Sequence, residues 1–275
     1  ILNLDSPNQA TIKNLIFNQD GSKLFGYSNQ QIITWDLDTG DYSILIESES
    51  RICSLSLSSQ ANFLVFGCEN GVVYIWDLNT KKFLNQFSTN NRVVLSVRIT
   101  GNHYILACTI KDKIVKIWDL NHEKSIQTLQ SQSYNISLID ISYNGQYIAT
   151  GSGEKNIKIW DIHTGLYLQS LSGHLSEINA ITFSNINQII ATASVDRTVK
   201  IWDITTGKCL KTLQGRADFV HSVIFSSDNR KIISASQHSI NFWDVNSQQC
   251  ISTFFKSKDW LSSLIISPDE KIIAC

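Results

Sequence analysis

Short runs of alternating apolar and polar residues, separated by polar turns, make up most of the chain. Between Ser172 and Asp203 the runs ITF, IIATAS and TVKIW have the length and alternation of β-strands. The following segment, TTGKCLKTL, supplies a glycine-containing turn and a fourth alternating run. No helical period occurs in this stretch. The pattern therefore predicts a unit of four short antiparallel strands.

The same unit recurs along the whole chain. A Trp-Asp pair ends its third run six times, with steps of 41 or 42 residues: Trp35-Asp36, Trp76-Asp77, Trp118-Asp119, Trp160-Asp161, Trp202-Asp203 and Trp243-Asp244. After the sixth copy, WLSSLIIS and IIAC open a seventh that carries no Trp-Asp. Such regular spacing indicates tandem repeats of one structural unit.

A period in the low forties, a terminal Trp-Asp and the pair Gly173-His174 resemble the WD-repeat family of β-propellers. The resemblance implies an all-β fold in which each repeat forms one four-stranded antiparallel blade around a central channel. Six complete repeats and a truncated seventh then imply a seven-bladed propeller. In this family the strand Ile1 to Leu4 would be the outer strand of the last blade.

Residues 1–275 are expected to form a single propeller domain. The chain has no Met, begins with Ile and breaks off within the seventh repeat. We interpret it as a fragment of a longer, multidomain polypeptide whose other domains are expected partners.

Four polar residues of the fifth repeat are suited to one hydrogen-bonded network: His174 before the first strand, Thr192 in the second, Asp196 in a turn and Trp202 in the third. An imidazole both donates and accepts, so it can link Asp or Thr to a buried indole N–H. We interpret the set as structural rather than as part of a catalytic triad, because no nucleophile is spaced with His174 and Asp196. Most other repeats lack the full set and should depend on apolar burial.

Composition narrows the choice of compartment and partner. The chain is 43% apolar and 17% charged with a net charge of −1, so it lacks the basic excess of proteins that bind phosphate backbones, and nucleic acid is an unlikely partner. Its six cysteines are scattered without the spacing of metal ligands, which favours a reducing compartment. No signal peptide or membrane-spanning stretch is visible. The sequence predicts a cytoplasmic protein with no metal, cofactor or membrane contact.

No sequence motif points to a reaction. The chain contains no phosphate loop, HExxH, GxSxG or paired-carboxylate cluster, so no catalytic residue and no enzymatic activity is predicted. The preferred hypothesis is a non-catalytic protein–protein interaction scaffold or sensor module, the regulatory domain of a larger protein such as a signalling ATPase or kinase. Two alternatives stay open. One is a small-molecule-binding or catalytic propeller with a composite site at the channel, and the other is an RNA-associated assembly factor, which a basic stripe across one face would favour.

The family resemblance also implies where a protein or peptide partner binds. The loops before the first strand and between the second and third open on one face, at the mouth of the channel. By repeat register, the predicted partner-binding residues are Arg51, Glu69, Leu95, Lys111, Glu177, Asn179, Phe219, His221 and Trp260. Arg51, Phe219 and Trp260 form the predicted anchor group, because Trp, aromatic and Arg side chains are frequent at interface hot spots. Alternatively, Phe219 and Trp260 pack against their own blades as small additions to the hydrophobic core.

Overall fold

Every regular element of the computed structural model is a β-strand, within the residues that it describes: 11–58, 63–99, 104–109, 113–120, 122, 124–130, 136–151, 155–186, 188–214, 218–255 and 264–274. The strands follow one another in groups of four, as the alternating runs predict. Each group forms one antiparallel sheet in which neighbours in sequence are neighbours in space.

The first three sheets, here called blades 1 to 3, match the first three repeats. Their strands are β1 (Lys13–Phe17), β2 (Lys23–Ser28), β3 (Gln31–Asp36) and β4 (Tyr42–Glu47); β5 (Ile52–Leu57), β6 (Phe63–Cys68), β7 (Val72–Asp77) and β8 (Lys82–Ser88); and β9 (Val94–Ile99), β10 (Tyr104–Thr109), β11 (Ile114–Asp119) and β12 (Lys124–Gln130).

Blades 4 to 6 and a smaller sheet complete the described chain. Their strands are β13 (Leu138–Ile141), β14 (Tyr147–Gly151), β15 (Asn156–Asp161) and β16 (Tyr167–Ser172); β17 (Ile178–Phe183), β18 (Ile189–Ser194), β19 (Thr198–Asp203) and β20 (Cys209–Gln214); β21 (Val220–Phe225), β22 (Lys231–Ser236), β23 (Ser239–Asp244) and β24 (Cys250–Phe255); and β25 (Ile265–Ile266) and β26 (Ile273–Ala274).

The blades stand side by side around a central axis. The first strands of neighbouring sheets contact one another, so they are the inner strands, and the fourth strands form the rim. Apolar side chains fill every junction between neighbouring blades. At the junction of blades 4 and 5, for example, Ile157 and Leu171 of one blade meet Ile181 and Trp202 of the next. The core is therefore distributed between the sheets rather than concentrated in one place.

The predicted count of seven blades is wrong for the residues that the structure describes. They form six four-stranded sheets and one two-stranded sheet, β25–β26. Within residues 264–274, the described part of the seventh repeat, the structure shows two strands of two residues each. Ile1 to Leu4, predicted as an outer strand for this sheet, lie outside the described residues.

The two-stranded sheet lies between blade 6 and blade 1. Leu264 and Ile266 pack on Ile233 of blade 6, and Ile265 and Ile272 pack against blade 1. Polar contacts link successive turns on the edge where the first and second strands of each sheet are joined. Asn185 of blade 5 contacts Ser227 of blade 6, and Ser227 contacts Glu270 of the two-stranded sheet. Pro268 of that sheet packs beside Gly21 of blade 1.

In five of the six Trp-Asp pairs, the Asp stabilises the turn that follows it. In blade 5, Oδ1 of Asp203 accepts hydrogen bonds from the backbone N–H groups of Thr205 and Thr206 at 2.7 and 3.0 Å. Asp36, Asp77, Asp161 and Asp244 accept equivalent bonds in their own blades. The acid is conserved between repeats because a carboxylate satisfies the N–H donors that a tight turn leaves without partners.

Candidate functional site

In blades 2 and 5 the loop before the first strand lies beside the turn between the second and third strands. The N–H of Glu69 donates to the carbonyl of Arg51 and the N–H of Val195 to that of Glu177, both at 2.9 Å. Arg51, Glu69 and Glu177 are exposed there. The predicted partner-binding residues of blades 2 and 5 thus lie on one edge of the ring.

Other predicted residues differ in exposure. Phe219 is 43% exposed, whereas Leu95 and His221 are half-buried on inner strands. The side-chain amide of Asn179 donates to the carbonyl of Val220 in the next blade at 2.9 Å, so this residue joins blades 5 and 6. Lys111 and Trp260 lie outside the described residues. Of the predicted anchor group, Arg51 and Phe219 are exposed, and their role in binding a partner stays a prediction.

Leu175 is an exposed anchor candidate that sequence reasoning missed. Its side chain is 80% exposed, yet its backbone N–H donates to Oδ2 of Asp196 at 2.9 Å. It lies on the channel-mouth edge, one blade away from Phe219. In the sequence, Leu175 lies after Gly173-His174 and before the first strand. An apolar residue in such a loop is not buried by the alternating pattern of a strand.

The loop that carries Leu175 is fixed by the polar residues of the fifth repeat. His174 Nδ1 lies 2.7 Å from Oδ2 of Asp196, His174 Nε2 lies 2.7 Å from the hydroxyl of Thr192, and the indole of Trp202 donates to that hydroxyl at 2.8 Å. A carboxylate only accepts, so Nδ1 of His174 carries the proton and Nε2 accepts from Thr192. The four residues form one directed chain of hydrogen bonds.

Two of these groups have displaced pKa values. Burial lowers the pKa of His174 below its usual 6.5, although Asp196 opposes the shift. Burial by itself would raise the pKa of Asp196, but hydrogen bonds from Thr198, from the N–H of Leu175 and from His174 outweigh it and lower that pKa to about 2. Neutral His174 beside ionised Asp196 is therefore the arrangement of the folded state near neutral pH.

We expect acid to destabilise the protein through His174. Because its pKa is lower in the folded state than its usual 6.5, the unfolded chain takes up the proton first as the pH falls, and the free energy of unfolding declines below that value. Asp196 adds a further loss between its usual 3.8 and about 2. Melting temperatures between about pH 7.5 and about pH 5 should fall more steeply for the wild type than for His174→Gln. Parallel curves for the two proteins would contradict this account.

An ion pair joins the inner strands of blades 3 and 4, and a hydrogen bond connects it to the inner strand of blade 5. Nε of Arg98 in blade 3 lies 3.4 Å from Oδ1 of Asp140 in blade 4, and Oδ2 of Asp140 accepts the backbone N–H of Phe183 in blade 5 at 2.8 Å. Burial raises the pKa of Asp140 above its usual 3.8, although Arg98 and this N–H oppose the shift. In the sequence, Arg98 and Asp140 carry opposite charges, lie on first strands and are separated by the length of one repeat.

The described residues contain no group of three or more His, Cys, Asp or Glu side chains that could hold a metal ion. No helix suited to crossing a membrane occurs in the described segments. The loops and turns at this edge carry exposed apolar and charged side chains: Leu175, Phe219, Arg51, Glu69 and Glu177.

Comparison with known proteins gives two matches. The family model described as "Nucleolar protein 10-like, N-terminal domain" matches residues 3–226. A chain from the crystal structure of the mitotic checkpoint complex superposes with a TM-score of 0.84 at 20% sequence identity, covering 94% of this chain and 82% of the other. It is one of 1930 matching solved chains, so the likeness identifies a widespread fold. No curated protein matches significantly. The predicted WD-repeat β-propeller is confirmed by these matches.

Proposed function

Since this chain belongs to the family of nucleolar protein 10-like N-terminal domains, we propose that it is a non-catalytic scaffold that binds a protein partner at its channel mouth. The observation that carries the proposal is Leu175, an apolar side chain 80% exposed on a loop whose backbone is held by Asp196. A loop whose backbone is already ordered loses less conformational entropy on binding than a free loop would. Phe219 in the next blade adds a second exposed apolar group.

Charged side chains on the same edge of the ring define the expected partner. Glu177 and Arg51 are exposed on the same edge as Leu175, so a segment with apolar side chains flanked by both signs of charge would match the surface. Polar groups at the rim of an interface contribute mainly to specificity and association rate. We therefore assign affinity to the apolar anchors and orientation to the charges.

A photo-crosslinking experiment tests the choice of face. A photoreactive residue is introduced at Leu175 in the full-length protein, and the matched control carries it at Leu166, which is 62% exposed in the turn between β15 and β16 on the opposite edge. We expect a discrete protein adduct from position 175 and none from position 166. The reverse pattern would place the partner on the opposite face and overturn the proposal.

Once the partner is known, its affinity for single variants tests the anchors. Leu175→Ala or Phe219→Ala should each cost at least ~2 kcal/mol, about thirtyfold in Kd, without loss of melting temperature. Leu166→Ala should leave the affinity unchanged. Arg51→Ala should reduce the association rate more than it raises the dissociation rate.

The location of the protein is part of the proposal. The cytoplasmic location predicted from composition stays a prediction. The matching family is named for a nucleolar protein, and on that ground we propose that the chain acts in nucleolar assemblies. Fluorescence imaging of the tagged full-length protein decides between the two compartments.

A further inference from the structure

Three lysines occupy the same register position in three consecutive blades. Lys116, Lys158 and Lys200 lie in the middle of the third strands β11, β15 and β19, each two residues before the Trp of its repeat. The corresponding positions of blades 1, 2 and 6 carry Ile33, Tyr74 and Asn241. Among the six four-stranded blades, the position is therefore basic only in blades 3 to 5.

In the strand pairing, each lysine lies opposite a residue of the outer strand that carries a hydroxyl group. The register places Lys116 opposite Thr128, Lys158 opposite Ser170 and Lys200 opposite Thr212. In blade 5 the ammonium group of Lys200 donates to the hydroxyl of Thr212 at 2.9 Å. Lysine and hydroxyl side chains are the usual donors to phosphate oxygens of nucleic acids. Three such pairs recur at blade-to-blade intervals along the rim.

Negative charge is absent from the outer strands of these blades. The described strands β12, β16 and β20 contain no Asp or Glu, and they add Lys124 and Lys211 to the basic side. The third strands carry only the Asp of Trp-Asp, which accepts N–H donors of its own turn in blades 4 and 5. A net charge of −1 describes the whole chain, whereas attraction of a polyanion depends on the local field.

An exposed aromatic ring lies within the same surface. Tyr167 is 50% exposed, and its ring packs edge-on against Trp160 with centroids 5.5 Å apart. Trp160 and Lys158 are two residues apart on β15, so their side chains share one face of the sheet. Basic side chains that follow a backbone, combined with an ordered aromatic ring, are the features by which proteins hold single-stranded nucleic acid.

We propose that the rim of blades 3 to 5 binds single-stranded RNA. Lys116, Lys158 and Lys200 contact successive stretches of the phosphate backbone, and Tyr167 stacks on one base. This surface is built from third and fourth strands and lies apart from the protein-binding mouth, so it goes beyond the scaffold function proposed above. An acidic peptide would use the lysines but gain little from the tyrosine, and for that reason we favour RNA.

Fluorescence anisotropy with a labelled oligouridylate of about 20 nucleotides tests the proposal, with salt varied from about 50 to 200 mM. The combined variant K116Q/K158Q/K200Q should bind on the order of tenfold more weakly. The slope of log affinity against log salt should fall by about 2, since each phosphate contact with a single strand contributes about 0.7. The matched control K23Q/K82Q/K231Q removes equal charge from exposed positions of other blades and should bind as the wild type does.

Tyr167→Leu should weaken binding at least fivefold, roughly the loss of one stacked base, while leaving the salt slope unchanged. Equal losses in both triple variants, or no binding by the wild type at low salt, would overturn the proposal. So would a polyglutamate peptide that binds through the three lysines when oligouridylate does not. If the triple variant fails to fold, the three single Lys→Gln variants are measured, and each should lower the slope by about 0.7.

Discussion

Replacing Trp202 by alanine is expected to lower the free energy of unfolding by about 3–5 kcal/mol, the largest loss for any single residue of the fifth repeat. The indole is 1% exposed and fills the junction between blades 4 and 5. Its removal leaves a cavity and also deprives the hydroxyl of Thr192 of its donor. For a domain of this size the melting temperature should fall by roughly 10 °C.

Two phenylalanine variants separate the packing and polar parts of this effect. Trp202→Phe retains much of the apolar contact but removes the hydrogen bond to Thr192. Trp76→Phe is the matched control, because Nε1 of Trp76 has no hydrogen-bond partner among the described residues. We expect Trp202→Phe to cost about 1 kcal/mol more than Trp76→Phe, as measured by chemical denaturation. Equal costs would show that the directed chain of hydrogen bonds adds nothing to stability.

Replacing Asp140 by alanine is expected to cost about 2–3 kcal/mol. The carboxylate joins three blades, since it accepts from Arg98 on one side and from the N–H of Phe183 on the other. Without it, the N–H of Phe183 is left in the channel wall with no side-chain acceptor. Arg98 is 36% exposed and also donates to the carbonyl of Val97, so solvent reduces the loss on that side.

Asp140→Asn is the matched control, because its amide oxygen can still accept the N–H of Phe183. It should cost less than half as much as Asp140→Ala in the same denaturation experiment. A double-mutant cycle with Arg98→Ala then gives the coupling between the two charges. A cost below about 0.5 kcal/mol for Asp140→Ala would show that the bridge between blades is not a stabilising element.

The local parts of the fold were predictable from the sequence because they repeat. Strand alternation and Trp-Asp spacing defined the four-stranded unit, since each blade is made of strands adjacent in the chain. The blade count was not predictable in the same way. The size of a ring depends on how neighbouring sheets pack. The six complete repeats each form a four-stranded blade, but the described residues of the truncated seventh form a two-stranded sheet, so the count of seven blades was wrong.

In the candidate sites too, contacts within one repeat could be predicted from the sequence, whereas contacts between repeats could not. The side chains of His174, Thr192, Asp196 and Trp202 could be related because they belong to one repeat. Arg98 and Asp140 belong to different repeats, and only the packing of inner strands brings them together. The exposure of Leu175 depends on a turn from another strand that holds its backbone. Contacts between repeats and loop exposure are properties of the assembled ring, and no local pattern encodes them.

The described strands β25 and β26 differ from the other blades in local stability. They are two residues long, whereas the strands of blades 1 to 6 have four to seven residues. The free energy of local opening rises with the number of buried contacts and hydrogen bonds that must break. Among the described residues, the amide protons of β25 and β26 should therefore exchange with solvent faster than those of the four-stranded blades.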